Sequence, residues 1–307
     1  MRLAYGCMGL GSAGSAPTDE EVDRAEAAVR TAYDIGIRLF DHADIYGGGS
    51  AESVFGTVLA RNPGLRDQLE IQTKCGIVLG GAENGNAYDL SREHILASVE
   101  GSLARLGIDR LDRLLLHRPD PLARPEEIAD AFDVLRAEGT VRGFGVSNMA
   151  ASHIAHLRSA VDQPLEVDQV ELGLHHRDLI EAGVLVNHPD ARAYAPVAGT
   201  LEYCTDHAIT VQAYGPLAQG RFTGRPRGPE DEATAALVRR YADELGAAPE
   251  AVVLGWLLKH PADVVAVIGT TDPGRIRACA DAEAVGEAMT RHQWWSLWSA
   301  ARGKPVP

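Results

Sequence analysis

Gly9-Leu10-Gly11-Ser12-Ala13-Gly14 follows the apolar run Leu3–Met8, an order of elements that two different folds could produce. A strand followed by G-x-G-x-x-G marks an open, doubly wound sheet when the helix begins within the glycine motif, so that the helix N-terminus meets a pyrophosphate. Asp41, at the end of the next strand-like run, would then sit where such folds hold a ribose. In this chain the helix is delayed. Pro17 comes first, and Thr18-Asp19-Glu20-Glu21 is a capping box that starts the helix several residues after the last glycine. The glycines therefore read as an open loop, and Asp41 is left for another role.

Working outward from that loop, short β-like runs alternate with amphipathic helical stretches along the chain. Strands are predicted at Leu3–Met8, Ile37–Asp41, Glu70–Lys74, Arg113–His117, Gly143–Ser147, Val167–Glu171, Thr210–Tyr214 and Val264–Ile268. Helices are predicted at Asp19–Asp34, Arg92–Leu106, Pro125–Glu138 and Glu232–Leu245, with Ser91 as a second N-cap. Alternating β and α units imply a parallel sheet. With eight such units and no compositionally distinct second region, the expectation is an α/β fold, a closed (β/α)8 TIM barrel forming a single domain over residues 1–307. Val184–Thr200 reads as a surface loop. The last stretch, Arg291–Pro307, reads as a helix and tail whose Trp294, Trp295 and Trp298 pack against the barrel.

The formal net charge of −14 argues against a broad nucleic-acid or anionic-membrane surface, since both need excess Lys and Arg. It leaves room for one anionic cofactor in a local basic pocket. Cys7, Cys75, Cys204 and Cys279 are far apart, with no metal-ligand spacing, and read as reduced core thiols of a cytoplasmic protein. No signal-peptide pattern and no apolar run of membrane-spanning length is found.

In a barrel of this kind the C-terminal strand ends line the active site. Strand two ends in Asp41-His42-Ala43-Asp44-Ile45-Tyr46-Gly47, strand three in Thr73-Lys74-Cys75-Gly76 and strand four in Leu116-His117-Arg118-Pro119. Asp41, Tyr46, Lys74 and His117 should therefore converge. Free tyrosine is a sluggish acid at neutral pH, and a neighbouring ammonium lowers its pKa. An Asp can hold that Lys charged and oriented, and a His can position a carbonyl oxygen. Together they form a general acid able to protonate an oxygen as hydride arrives at carbon. Asp41, His42, Asp44 and His117 also suggest a metallohydrolase. A ligand set for that chemistry is incomplete, and no metal is expected. His42 and Asp44 are expected to shape the substrate-side loop, and Arg118 and Asp120 to be loop-ordering or rim residues rather than catalytic ones.

Asp41-x-Ala43-x-x-Tyr46-Gly47, Lys74 and Leu116-His117 resemble the aldo-keto reductase family. So do Val141–Asn148, Gln169-Val170-Glu171, Tyr214-Gly215-Pro216-Leu217 and Val267–Thr271 with Arg275. The similarity spans nearly the whole chain and leans toward a bacterial branch of predicted oxidoreductases. It implies that Tyr46 is the proton donor, Lys74 depresses its pKa, Asp41 anchors Lys74 and His117 orients a small carbonyl substrate. It implies that Ser147, Asn148 and Gln169 bind a nicotinamide carboxamide and that Tyr214 stacks on the ring. Gly215, Leu217, Gln219 and Gly220 would cradle the pyrophosphate, and Gly269, Thr270, Thr271 and Arg275 would lie at the 2′-phosphate. The family often has Lys where Gly269 stands and Glu-Asn where Ala278-Cys279 stand. Arg275 still favours NADPH, with NADH possible. A nucleotide-binding sensor on the same barrel is the alternative. A monomer is the default, with oligomeric state open.

Overall fold

The structure, a computed structural model, describes residues 1–14, 16–80 and 85–307. Eight strands form a closed barrel: β1 Leu3–Gly6, β2 Leu39–Asp41, β3 Glu70–Cys75, β4 Leu111–Leu116, β5 Val141–Ser147, β6 Leu165–Glu171, β7 Thr210–Tyr214 and β8 Val265–Ile268. Their order around the ring follows the chain, β1 beside β2 and so on to β8, which closes on β1. The recorded pairings are all parallel. Register sets the site: Asp41 lies beside Gln72, Lys74 beside Leu115, and Ser147 beside Gln169.

All eight expected strands are present. The first is shorter than expected, because Cys7–Gly9 turn into a 3-10 helix in which Leu10 N–H reaches Cys7 C=O at 3.1 Å. A small antiparallel hairpin, Ile77–Val78 with Ala87–Tyr88, follows β3 and was not expected. Its strands are too short for an alternating pattern to register.

The twelve described α-helices are α1 Asp19–Asp34, α2 Ser50–Arg61, α3 Arg92–Leu106, α4 Pro125–Ala137, α5 Ala151–Leu157, α6 Asp178–Val184, α7 Thr200–Asp206, α8 Pro229–Leu245, α9 Pro249–Leu258, α10 Pro273–Arg277, α11 Ala282–Ala288 and α12 Arg291–Arg302. Helix α1 starts where the capping box places it: Thr18 accepts from Glu21 N–H, and Glu21 reaches back to Thr18 N–H. The glycine-rich run is a loop, as read. A Cβ on Gly11 would lie 2.6 Å from the Ser50 backbone, so that glycine serves close packing against the start of α2. The stretch expected as a loop at Val184–Thr200 contains two 3-10 turns, Pro189–Ala193 and Ala195–Val197.

By contacts the chain divides into two compact units. One comprises Ala4–Gln169 with Gly269–Thr271, and the other Met1–Leu3, Val170–Ile268 and Asp272–Pro307. In the first, Phe132 stacks on Phe144 and Phe40 packs between Tyr5 and Phe55. In the second, α9 is buried from Glu250 to Leu258. Trp256 stacks on Trp294 of α12 at 5.0 Å, each indole N–H donating to the other's carbonyl. Trp295 and Trp298 continue the aromatic row, and Trp298 is fully buried. The C-terminal tryptophans thus pack as expected. No described helix is long and apolar enough to cross a membrane.

Candidate active site

Asp41 is the last residue of β2, and Lys74 is the fifth of β3. Both are essentially sealed from solvent. Lys74 Nζ donates to both Asp41 oxygens at 2.7 Å and to the His42 carbonyl at 2.8 Å. A buried pair of opposite charges is worth keeping only when its remaining lone pairs are also met. Two amides meet them. Gln72 Nε2 donates to Asp41 Oδ1 at 2.7 Å and Gln169 Nε2 to the same oxygen at 2.9 Å.

The Tyr46 ring lies 5.1 Å from Lys74 Nζ and meets the His117 ring edge-on at 6.1 Å. The expected quartet does converge. One electrostatic expectation needs correction, however. Lys74 does pull the Tyr46 pKa down, but burial of the phenol outweighs it, and the net shift is upward. Tyr46 is a protonated, preorganised acid in this state. His117 is pushed down to about 3 by burial, with Lys74 and Arg118 adding to the effect. It is neutral at physiological pH, and its Nδ1 makes no hydrogen bond among the described residues.

The turn that carries Tyr46 requires glycine. Gly47 and Gly49 have φ of 60° and 93°, and a Cβ on either would strike Ser50 Oγ or Arg105 Cδ. Behind this turn, Glu52 at the start of α2 is fully buried. It accepts from Arg105 Nε of α3 at 2.8 Å and from Thr73 Oγ1 of β3 at 2.6 Å. This strut joins the Tyr46 turn to the Lys74 strand. No local pattern announces it, since its partners are tens of residues apart. Asp44 faces the same cluster, and burial, with Glu52 nearby, raises it to about 6. His42 does not shape a substrate-side loop. It is fully buried edge-on against Phe55 at 4.6 Å, held neutral with a pKa of about 3. It follows Asp41 in the strand direction, so its side chain takes the opposite face. Asp120 does order its loop, accepting from Leu90 and Leu122 N–H.

Ser147, Asn148 and Gln169 form one interlocked group. Ser147 Oγ donates to the Gln169 carbonyl at 2.7 Å, and Asn148 Nδ2 donates to Ser147 Oγ at 2.9 Å and to the His117 carbonyl at 3.1 Å. Asn148 has φ of 59°, a left-handed conformation that Asn tolerates better than most residues. In the same unit, Gly269 is exposed, Thr270 C=O accepts from Tyr5 Oη at 3.0 Å, and the Thr271 methyl lies 3.7 Å from a Cβ built on Gly9.

The second unit carries Tyr214, Gly215, Leu217, Gln219, Gly220 and Arg275. Tyr214 ends β7, and Leu217 opens a short turn beyond it. Four residues there adopt positive φ: Gly215 at 64°, Ala218 at 44°, Gln219 at 58° and Gly220 at 88°. Such runs turn backbone N–H groups to one side and favour anions. Basic side chains surround the turn. Arg275 Nη2 donates to Thr223 Oγ1 at 3.2 Å, and Arg275 lies 3.5 Å from Glu250. A Cβ on Gly220 would meet Arg275 Nη2 at 2.7 Å and Arg225 Cδ at 3.5 Å, while Arg227 hydrogen-bonds Gln219. Thr223, Arg225 and Arg227 were not singled out in the sequence, although two arginines so close after the glycine turn were a visible signal. A strained backbone turn ringed by arginines suits a pyrophosphate, and the Ser147–Asn148–Gln169 group suits a carboxamide. Both residue sets therefore fit a nicotinamide nucleotide. Among the described residues, no three His, Cys, Asp or Glu side chains are grouped to hold a metal ion.

The profile of the aldo/keto reductase family matches residues 2–294. The chain belongs to that family. This aldo/keto reductase is 39% identical over 280 residues to the uncharacterized oxidoreductase YcsN of Bacillus subtilis, covering 89% of this chain and 87% of that protein. It is 37% identical to a 6-dehydroglucose reductase of Agrobacterium fabrum, over 99% of this chain and 95% of the relative. Among solved structures, the glycerol dehydrogenase AKR11B4 from Gluconobacter oxydans superposes with a TM-score of 0.80 at 26% identity, covering all of this chain and 93% of that one. The chain is thus an oxidoreductase of this family.

Proposed function

We propose that the protein reduces an aldehyde or ketone to the alcohol with NADPH, and that Tyr46 donates the proton. The observation that most supports this is the buried Asp41–Lys74 ion pair beneath the Tyr46 ring, with neutral His117 beside it. When bound, NADPH supplies the hydride to the carbonyl carbon. The chain's own residues manage the oxygen. His117, being neutral, donates one hydrogen bond to the carbonyl oxygen without competing as an acid. The Tyr46 hydroxyl donates the second and passes its proton as negative charge builds on that oxygen. Lys74 then stabilises the tyrosinate, and Asp41 keeps Lys74 in place.

Ser147, Asn148 and Gln169 hold the carboxamide, and Tyr214 lies against the ring. Gly215, Leu217, Gln219 and Gly220 offer N–H groups to the pyrophosphate. Arg275, with Gly269, Thr270 and Thr271, receives the 2′-phosphate. Arginine pairs with phosphate through two parallel hydrogen bonds, and this supports NADPH over NADH. We further propose that residues 1–307 work as one domain, as a cytoplasmic enzyme. The four buried free thiols accord with a reducing compartment.

A panel of aldehydes and ketones tests the reading, followed by loss of NADPH absorbance. Sugar aldehydes belong in it, given the similarity to a 6-dehydroglucose reductase. Turnover of at least one carbonyl is expected. Tight NADPH binding with no turnover on any compound would replace the enzyme by a nucleotide sensor on the same barrel.

A further inference from the structure

We propose that Gln72 is a positioning residue that sets the acidity of Tyr46 by sharing the charge of Asp41. This rests on the carbonyl-reductase reading above and adds a residue to it. Gln72 lies two residues before Lys74 on β3, so both side chains take the inward face. It is fully buried, and its register partner on β2 is Asp41 itself. Barrel interiors are normally filled by branched aliphatic residues. An amide placed there is costly unless it is hydrogen-bonded. Only the NH2 end of the amide can donate to a carboxylate, so its orientation is fixed by chemistry.

Three donors converge on Asp41 Oδ1: Lys74 Nζ at 2.7 Å, Gln72 Nε2 at 2.7 Å and Gln169 Nε2 at 2.9 Å. Lys74 Nζ also reaches Oδ2, at 2.7 Å. The groups that set the electrostatics at the phenol are Lys74, Asp41 and Cys7, with the neutral ring of His117 against it. Lys74 favours the tyrosinate and Asp41 opposes it. The two amides spread the negative charge of Asp41, so that less of it is spent cancelling Lys74. The ammonium thereby keeps its pull on Tyr46. Without Gln72, Asp41 offsets Lys74 more fully, and Tyr46 becomes a weaker acid. The second amide, from Gln169, belongs to the set assigned to the carboxamide, so it links the cofactor-facing residues to the same carboxylate.

The experiment compares wild type with Gln72→Met and Gln72→Glu. Gln72→Met keeps the volume and removes the donor. Its kcat is expected to fall about tenfold, with the dissociation constant for NADPH unchanged. Activity in reduction is lost as pH rises through the Tyr46 pKa, so the alkaline limb of its kcat profile should move up by about half a pH unit. Gln72→Glu puts an acceptor where the donor was. It should be worse than Gln72→Met at neutral pH and recover as pH falls, because the protonated carboxyl can donate to Asp41. A lowered kcat with an unmoved limb and no acid recovery would make Gln72 a mere filler and overturn the proposal. A crystal structure of Gln72→Met decides independently of turnover. Asp41 should keep its two-oxygen contact with Lys74 with no donor in place of the lost amide; a water taking over that hydrogen bond, or a carboxylate turned away from Lys74, would count against the idea. If wild type itself reduces no carbonyl, the functional reading fails while this structural arm still judges Gln72.

Discussion

Around Asp41, polar groups are enclosed and bonded to one another: Lys74, Gln72 and Gln169 on the carboxylate, Asn148 on Ser147, Ser147 on Gln169. Around Gln219, Arg225 and Arg227 are exposed, Arg275 is half-buried and the backbone is strained. The first region is a finished network inside low-dielectric protein. There each hydrogen bond is strong, and losing one leaves a partner stranded. The second is held by a few contacts nearer the surface, half-buried for Arg275 on Thr223 and exposed for Arg227 on Gln219, that an incoming anion can replace. One region is built to stay as it is, the other to exchange its contacts. On the function proposed above, rigidity would serve the step in which charge develops, and exchangeable contacts a ligand that leaves after each turnover.

The sharpest break of this contrast is Tyr46→Phe. It removes one hydroxyl from the enclosed region, and kcat should fall about a thousandfold while NADPH affinity, measured by fluorescence titration, barely changes. Retained turnover would sink the proton-donor role.

The next effect is on stability. His42 and His117 are both held down at about 3 by burial, against roughly 6.5 for a free imidazole. With the folded pKa depressed, the folded form binds fewer protons than the unfolded chain below that value. Their stabilising contribution is whole above about pH 6.5 and is lost as pH falls toward 3, by up to a few kcal/mol. Asp44, raised to about 6, works the other way between its free value and that point, since its carboxylate form is the disfavoured one when folded. Urea unfolding across this window should show falling stability toward acid. His42→Phe should flatten the fall, and an unchanged slope would remove His42 as its source.

In the exposed region, Arg275→Ala should weaken NADPH about tenfold and NADH much less. Equal losses for both nucleotides would end the 2′-phosphate assignment. The smallest change is Gln219→Gly. Relief of left-handed strain and the greater freedom of unfolded glycine nearly cancel, leaving stability within about 0.5 kcal/mol. Gln219→Val, with a branched Cβ in the same conformation, should cost about 1–2 kcal/mol by chemical denaturation. Equal stability of the two variants would mean that this turn relaxes in solution.

Local signals carried most of the fold. Thr18 and Glu21 placed the start of α1, the Ser91 cap placed α3, and the alternating runs placed the barrel strands. The strand-end rule then brought Asp41, Tyr46, Lys74 and His117 to one cluster. Features that depend on through-space pairing were not legible. Glu52 meets Arg105 and Thr73 only after folding, and Gln72 looks like any strand residue until Asp41 is seen beside it. The net sign of the Tyr46 shift was hidden for the same reason. A nearby Lys can be read from a motif, but the depth of burial that outweighs it is a property of the packed barrel. The substrate-side expectation for His42 failed because only its face of β2, fixed by the register of Asp41, decides which way it points.

The stacked pair of Trp256 and Trp294, with Trp295 and Trp298 beside it, has an optical consequence. All four tryptophans of the chain lie in α9 and α12, within one compact unit, and the unit holding Tyr46 has none. Indole emission is therefore a local gauge. It follows the melting of the unit that bears Arg275 and is blind to the one that bears Tyr46, whose unfolding has to be watched by far-ultraviolet dichroism. Coincident transitions from the two probes would describe one cooperative molecule. Separated transitions would mean that the unit bearing Arg275 and the unit bearing Tyr46 can come apart, and in which order.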